Sequence, residues 1–237
     1  MDASLYTALT RQSGLMREMG TVAQNIANIG TTGFRREGVV FSEFITRMDE
    51  GPSLSMAYAS ARNIDLSQAG VSQTGGSFDF AIQGEGFFLV QTPEGERLTR
   101  AGAFTPNENG ELVTNEGYPL LDEGGTPMVV PPDSGQVMLA GDGTLSVNGT
   151  PLARLGLWQP ADPLSLKHQA GTLFSANQVV PSEGQATILQ GYLEDSNVEP
   201  VTEIARMIEV QRAYEQGQSF LDAEDQRIRG VIQTLGA

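Results

Sequence analysis

Most of the side chains able to do chemistry in this sequence are carboxylates. Glu94, Glu96, Glu108, Glu111, Glu116, Asp122 and Glu123 crowd one stretch, and two carboxyls facing each other across a cleft would form the acid and base of a glycosidase. They lie among turn-forming residues, however, where acidic side chains are ordinarily solvated. Asp122-Glu123 and Asp142 lack the spacing of a calcium loop. Gly84-Glu85-Gly86 is no phosphate loop, because Phe87 and Phe88 follow where a helix should begin. The single histidine, His168, precludes a His-rich metal cluster and any Ser-His triad built without it, and the absence of cysteine removes disulfides and thiolate metal sites. His168 and Trp158 read as packing or surface residues. No catalytic, cofactor-binding or metal-binding residue is assigned.

Charge narrows the choice further. Acidic residues outnumber basic ones 29 to 14, and residues 51 to 200 carry −12 of the net −15. An acidic middle without a basic stripe repels phosphate backbones, so nucleic acid is not an expected partner. No run approaches the roughly 18 apolar residues that span a bilayer. The start, MDASLYTALTRQSGLMREM, lacks the basic opening and unbroken apolar run of a secretory leader. Any route out of the cytoplasm is therefore expected to remove no leader.

Leu5, Leu9, Gln12, Met16, Met19, Ala23 and Ile26 recur at alternating steps of four and three, with Ala8, Leu15, Val22 and Ile29 as a second column beside them. This heptad-like seam predicts an N-terminal helix within residues 1–30, with Asp2 as its cap and Gly30 as its stop. The C-terminal segment, 191–237, repeats the pattern after Pro200 through Met207, Val210, Tyr214, Gly217, Leu221, Glu224, Ile228, Val231 and Leu235. Residues 71–190 are rich in Gly, Pro, Asn and Asp, with short β-prone runs and turn pairs such as Asn109-Gly110 and Asn148-Gly149, and predict an antiparallel β domain. Residues 31–70 read as a linker with extended segments. The fold class is α+β.

A lone amphipathic helix does not repay the entropy of ordering it. Each terminal helix therefore needs a partner, either the other helix or helices of neighbouring molecules. An apolar flank wider than a strict seam serves one partner and still offers surface to a second, and such heterologous contacts build rings or open filaments. On that view the ends are unfolded in the monomer and order on assembly. Asn25, Asn28, Gln12 and Glu224, the polar interruptions, either face solvent or fix register by hydrogen bonding to a neighbour.

Four stretches, MDASLYTAL, NIANIGTTGFRRE, FDFAIQGEGFFLVQTPEGERLTRAGAF and GYLEDSNVEPVTEIARMIEVQRAYE, together resemble the flagellar basal-body rod and hook family. The turn signature is matched by Asn25, Asn28, Thr31, Thr32, Gly33 and Phe34, and the C-terminal one by Ser196, Asn197, Val198, Ile208, Gln211, Arg212, Ala213 and Tyr214. Ile29-Gly30 departs from it, standing where the family usually has a small apolar residue and a further Asn.

The resemblance implies a structural rod subunit without enzymatic activity or cofactor. Its two terminal helices would form a coiled-coil-like layer around a central channel, with the β domain outside. It also implies export by the flagellar type III apparatus without cleavage, and a place in the periplasm-spanning rod that carries torque to the hook. The partners it implies are further copies, other rod proteins, membrane ring proteins at the rod base and the export apparatus. Assembly residues would be Leu5, Leu9, Leu15, Met16, Met19, Val22, Ile26 and Ile29 at one end, and Ser196, Asn197, Val198, Met207, Ile208, Val210, Gln211, Arg212, Tyr214, Leu221, Ile228, Val231 and Leu235 at the other. The start and the residues around Pro200 look most like the proximal rod type. The alternatives are a distal rod or hook-type subunit, and a secreted β-rich carbohydrate-active enzyme or adhesin.

Overall fold

The structure, a computed structural model, describes residues 2–46, 54–131, 135–182 and 186–235, with the side chains of 2–6, 41–46, 54–61 and 235 left out of the description. The chain divides into two units. One comprises residues 1–27, 37–63 and 199–237, the other residues 28–36 and 64–198.

The first unit contains both long helices, α1 (Asp2–Ala27) and α2 (Pro200–Leu235), and the paired strands Glu37–Thr46 and Leu54–Ile64. Proline opens α2 because its missing N–H costs nothing in the first turn. Glu203, also in that turn, lies where the helix dipole favours an anion. The helix α1 stops at Ala27, three residues short of the expected Gly30. Asn28 ends it: its backbone carbonyl accepts from Thr31 N at 3.1 Å, and its side-chain Oδ1 accepts from Thr31 Oγ1 at 3.1 Å. The strands of 10 and 11 residues at 37–46 and 54–64 are longer than the short extended segments expected there. Backbone pairing requires no apolar face, so such strands leave little alternation in a sequence.

The second unit is a set of short antiparallel strands around two apolar clusters. The larger gathers Phe80, Ile82, Phe88, Val90, Leu112, Leu120 and Leu145 among others. The smaller contains Phe87, Leu89, Leu98, Leu121, Leu166 and Phe174, with the half-buried Trp158 against it. Successive side chains of a strand point to opposite faces, which explains the unbroken apolar run Phe87-Phe88-Leu89-Val90: alternate residues feed alternate clusters. The strand Phe88–Thr92 pairs with Gly95–Thr99, setting Leu89 against Leu98, and Ile188 on Thr187–Gln190 faces Ile82 on Phe80–Gln83. Asn148-Gly149 makes the tight hairpin between Thr144–Val147 and Thr150–Arg154, with φ of 51° and 80°, as its composition predicts. No helix among the described residues is long and apolar enough to cross a membrane.

Candidate assembly interface

Within the first unit, α1 and α2 meet along a seam that is largely polar. At one level Gln12 Nε2 donates to the Tyr214 carbonyl at 3.3 Å and to Gln218 Oε1 at 3.1 Å. Gly217 makes the room: a Cβ there would lie 2.4 Å from Gln12 Oε1. At the next level Arg206 Nε donates to Glu18 Oε1 at 2.7 Å, and Glu18 is buried. Burial opposes the charge on Arg206, but the hydrogen bonds and charges of Glu18 and Glu209 outweigh it and hold the guanidinium pKa above its ordinary value. At the third level Asn25 Nδ2 donates to Glu203 Oε2 at 3.1 Å and to the Glu37 carbonyl at 2.8 Å, while Asn25 Oδ1 accepts from Glu37 N at 3.0 Å. Asn25 and Glu203 are both 0% exposed.

The apolar residues divide around this seam. Val22 and Val210 are buried on it, and Leu15, Met19, Ile26, Met207, Tyr214, Leu221 and Ile228 are half-buried. Leu9, Met16, Ile204, Ile208, Phe220 and Val231 face outward, with Met16 64% exposed, Ile232 63% and Val201 78%. Gln211 and Arg212 are exposed as well. In α1, then, the column through Ala8, Leu15 and Val22 lines the seam, and the one through Leu9, Met16 and Ala23 is turned away from it. The side chains of Leu5 and Leu235 lie outside the described residues.

Apart from Asn25, the turn motif belongs to the second unit, along with Ile29 and the Ser-Asn-Val stretch. Gly33, at φ +73°, donates its N–H to the Glu194 carbonyl at 2.8 Å, and a Cβ there would sit 2.2 Å from Ala101 N. Phe34 is fully buried and meets the edge of His168, 5.2 Å between ring centroids; His168 in turn packs on Phe174. Arg35 Nη2 donates to Glu194 Oε1 at 2.7 Å, and Arg100 Nη1 to Glu194 Oε2 at 3.2 Å. Burial pulls the Arg100 pKa down to about 10 against the attraction of Glu194, which still leaves it charged near neutral pH. The Asn197 side chain accepts from Arg36 N at 2.6 Å and donates to the carbonyls of Asp65 at 3.0 Å and Ser67 at 3.1 Å. Ser196 Oγ accepts from Val198 N, and Val198 is buried. The residues expected to act as assembly contacts at this end of the motif are thus occupied inside the β-rich unit. Among the described residues, no group of acidic residues and histidines forms a candidate metal site.

Residues 81–147 match the family described as flagellar hook protein FlgE/F/G D1 domain, and residues 189–234 the family described as flagellar basal body rod FlgEFG protein C-terminal. Along its full length the chain is 37% identical to the basal-body rod protein FlgF of Mesorhizobium japonicum and 38% identical to that of Caulobacter vibrioides, covering 100% of this chain and 99% of each relative. The chain belongs to the flagellar basal-body rod protein family. Within the family it is most like FlgF, since the FlgG protein of Buchnera aphidicola from Acyrthosiphon pisum is 30% identical over 98% of the chain and 100% of that relative. As a member of the rod family it is a structural protein of the flagellar basal body, not an enzyme. The carboxylates at 94–123 accordingly belong to the surface and turns of a structural domain. Nothing lies within 4 Å of a Cβ added at Gly30, so the site has room for the family's more usual Asn.

The seam's charged members, Glu18, Glu37, Glu203 and Arg206, and the buried trio Arg35, Arg100 and Glu194, escaped the reading of the sequence. For the helices a signal existed. Glu203 is in phase with Met207 and Val210, and Glu18 lies one heptad from Asn25, although phase alone does not separate Glu203 from the half-buried Glu224.

Proposed function

We propose that this rod subunit polymerises through the outward faces of α1 and α2, in a coiled-coil-like layer, to build the proximal part of a hollow shaft. The observation that carries this reading is the placement of apolar side chains. Leu9, Met16, Val201, Ile204, Ile208, Phe220, Val231 and Ile232 are exposed on a helix pair whose inner seam is held by amides and carboxylates. Single exposed apolar residues are ordinary, whereas a concentration of them on one structural element marks a contact surface. Further copies are the occupants proposed, joined by other rod proteins along the shaft, membrane ring proteins at its base and the export apparatus feeding its channel. A shaft so built spans the periplasm and carries torque to the hook. Greater similarity to FlgF than to FlgG supports the proximal position.

The test is a polar substitution on the outward face, Met16→Glu together with Ile208→Glu. Both positions are exposed, so monomer stability should change by no more than about 0.5 kcal/mol per site, while incorporation into rods and motility are lost. A motile strain with the double variant built into its rods would overturn the reading. The stage at which basal bodies stall in a strain lacking the gene checks the proximal position.

A further inference from the structure

The three polar levels of the helix seam are arranged in order. Gln12, Glu18 and Asn25 ascend α1 while their partners Gly217 with Gln218, Arg206 and Glu203 descend α2. Each level is chemically distinct: a primary amide seated over a glycine notch, a carboxylate with a guanidinium, and an amide donating to a buried carboxylate. A helix pair held only by apolar contacts tolerates a slip of one heptad, because the apolar faces still meet. This pair does not. Moving α2 by one heptad sets Gln12 against Val210 or Glu224 in place of Gly217, and in the second case sets Asn25 against Val210. Amides and carboxylates are then buried without partners, the more costly outcome for a polar group.

We propose that these three levels are a register code by which α1 selects the α2 of its own chain in one alignment, leaving the outward apolar faces for other molecules. Asn25 is the strictest position, since its amide also holds both backbone groups of Glu37. The code explains why Gln12 and Gly217, each a flaw in its own helix, occur together. It concerns pairing within one molecule, and only its behaviour in assembled rods rests on the proposed polymerisation.

The chain has no cysteine, so disulfide trapping reports cleanly. The variant Gln12→Cys with Gly217→Cys, oxidised as a dilute monomer, is expected to give one intramolecular product, and the slipped pair Gln12→Cys with Glu224→Cys almost none. Adding Asn25→Leu and Glu203→Leu to both should raise the slipped product relative to the aligned one by about tenfold or more, the selectivity of one buried hydrogen bond. Comparable yields from the two pairs without the leucine substitutions, or ratios unchanged by them, would overturn the code. As a readout free of cysteines, Glu18→Arg and Arg206→Glu should each lower the thermal midpoint of the helix signal, and the double exchange should restore most of it; failure of that restoration would also count against the code. In assembled rods the aligned pair should still trap within single chains. Cross-linked ladders there, with single-chain trapping in the monomer, would mean that helices exchange on assembly and would confine the code to the free subunit.

Discussion

Two buried arginines, Arg35 and Arg100, share the carboxylate of Glu194, which also accepts from Ala69 N at 3.0 Å. Glu194→Ala strips both guanidinium groups of their counter-charge, and removing one partner of a buried pair typically costs about 3–5 kcal/mol. The expected outcome is a fall of that size in the stability of the β-rich unit, measured by urea unfolding followed through the fluorescence of Trp158. A loss below about 1 kcal/mol would mean that both arginines find water instead. Phe34→Ala belongs to the same scale. A fully buried phenylalanine truncated to alanine costs about 3–5 kcal/mol, so this variant should destabilise the β-rich unit first and disturb rod assembly only as a consequence. Gly33, Phe34 and Asn197 were legible in the sequence as special residues, but their partners were not. Glu194 was not legible at all: in the stretch Leu193-Glu194-Asp195 it reads as a solvated acid, and the arginines that bury it lie 94 and 159 positions away.

The helices were the most legible elements, because a long amphipathic period cannot be imitated by the turn-rich middle. What the period left undecided was which stripe faces the partner, since Leu9 and Leu15 are equally apolar and only the three-dimensional seam separates them. Glycines within the helices make the distinction testable. Gly20 has nothing within 4 Å of an added Cβ and lies on the outward side of α1. Alanine there should stabilise the helices of the monomer by about 0.5–1 kcal/mol, the usual helix-interior difference between the two residues. Gly217→Leu should do the opposite by displacing the Gln12 amide, despite the better helix former it introduces. Both effects are read from the thermal midpoint of the far-UV helix signal. If the two substitutions shift it in the same direction, the notch at Gly217 has no role in pairing. The paired strands at 37–46 and 54–64 were the least legible elements, since their sequence shows no clear period.

Across the whole molecule, the chain passes from one unit to the other four times, and the two units are stabilised by different means. Among the described residues, the β-rich unit has two apolar clusters with thirteen and six buried members. In the helical unit, the inner seam combines three polar levels with the buried valines Val22 and Val210 and with apolar side chains that are only half-buried, such as Leu15, Met19 and Met207. Apolar burial is the dominant favourable contribution to folding, whereas an intramolecular hydrogen bond contributes only about 1 kcal/mol net. The helical unit of an isolated subunit should therefore be ordered but weak, and on the proposed function the adhesive surface is the exposed face outside its seam. Denaturation should expose this hierarchy with native reporters, because both long helices belong to one unit and the single tryptophan, Trp158, to the other. In a dilute monomer the far-UV helix signal should be lost at lower urea than the Trp158 fluorescence, giving two separate midpoints. Assembly should bring the helical midpoint up towards that of the tryptophan, since contacts available only to the folded form raise its stability by mass action. Coincident midpoints in the free subunit would mean that the helices draw on a source of stability other than the seam, and the case for faces held in reserve for neighbouring copies would lose its energetic basis.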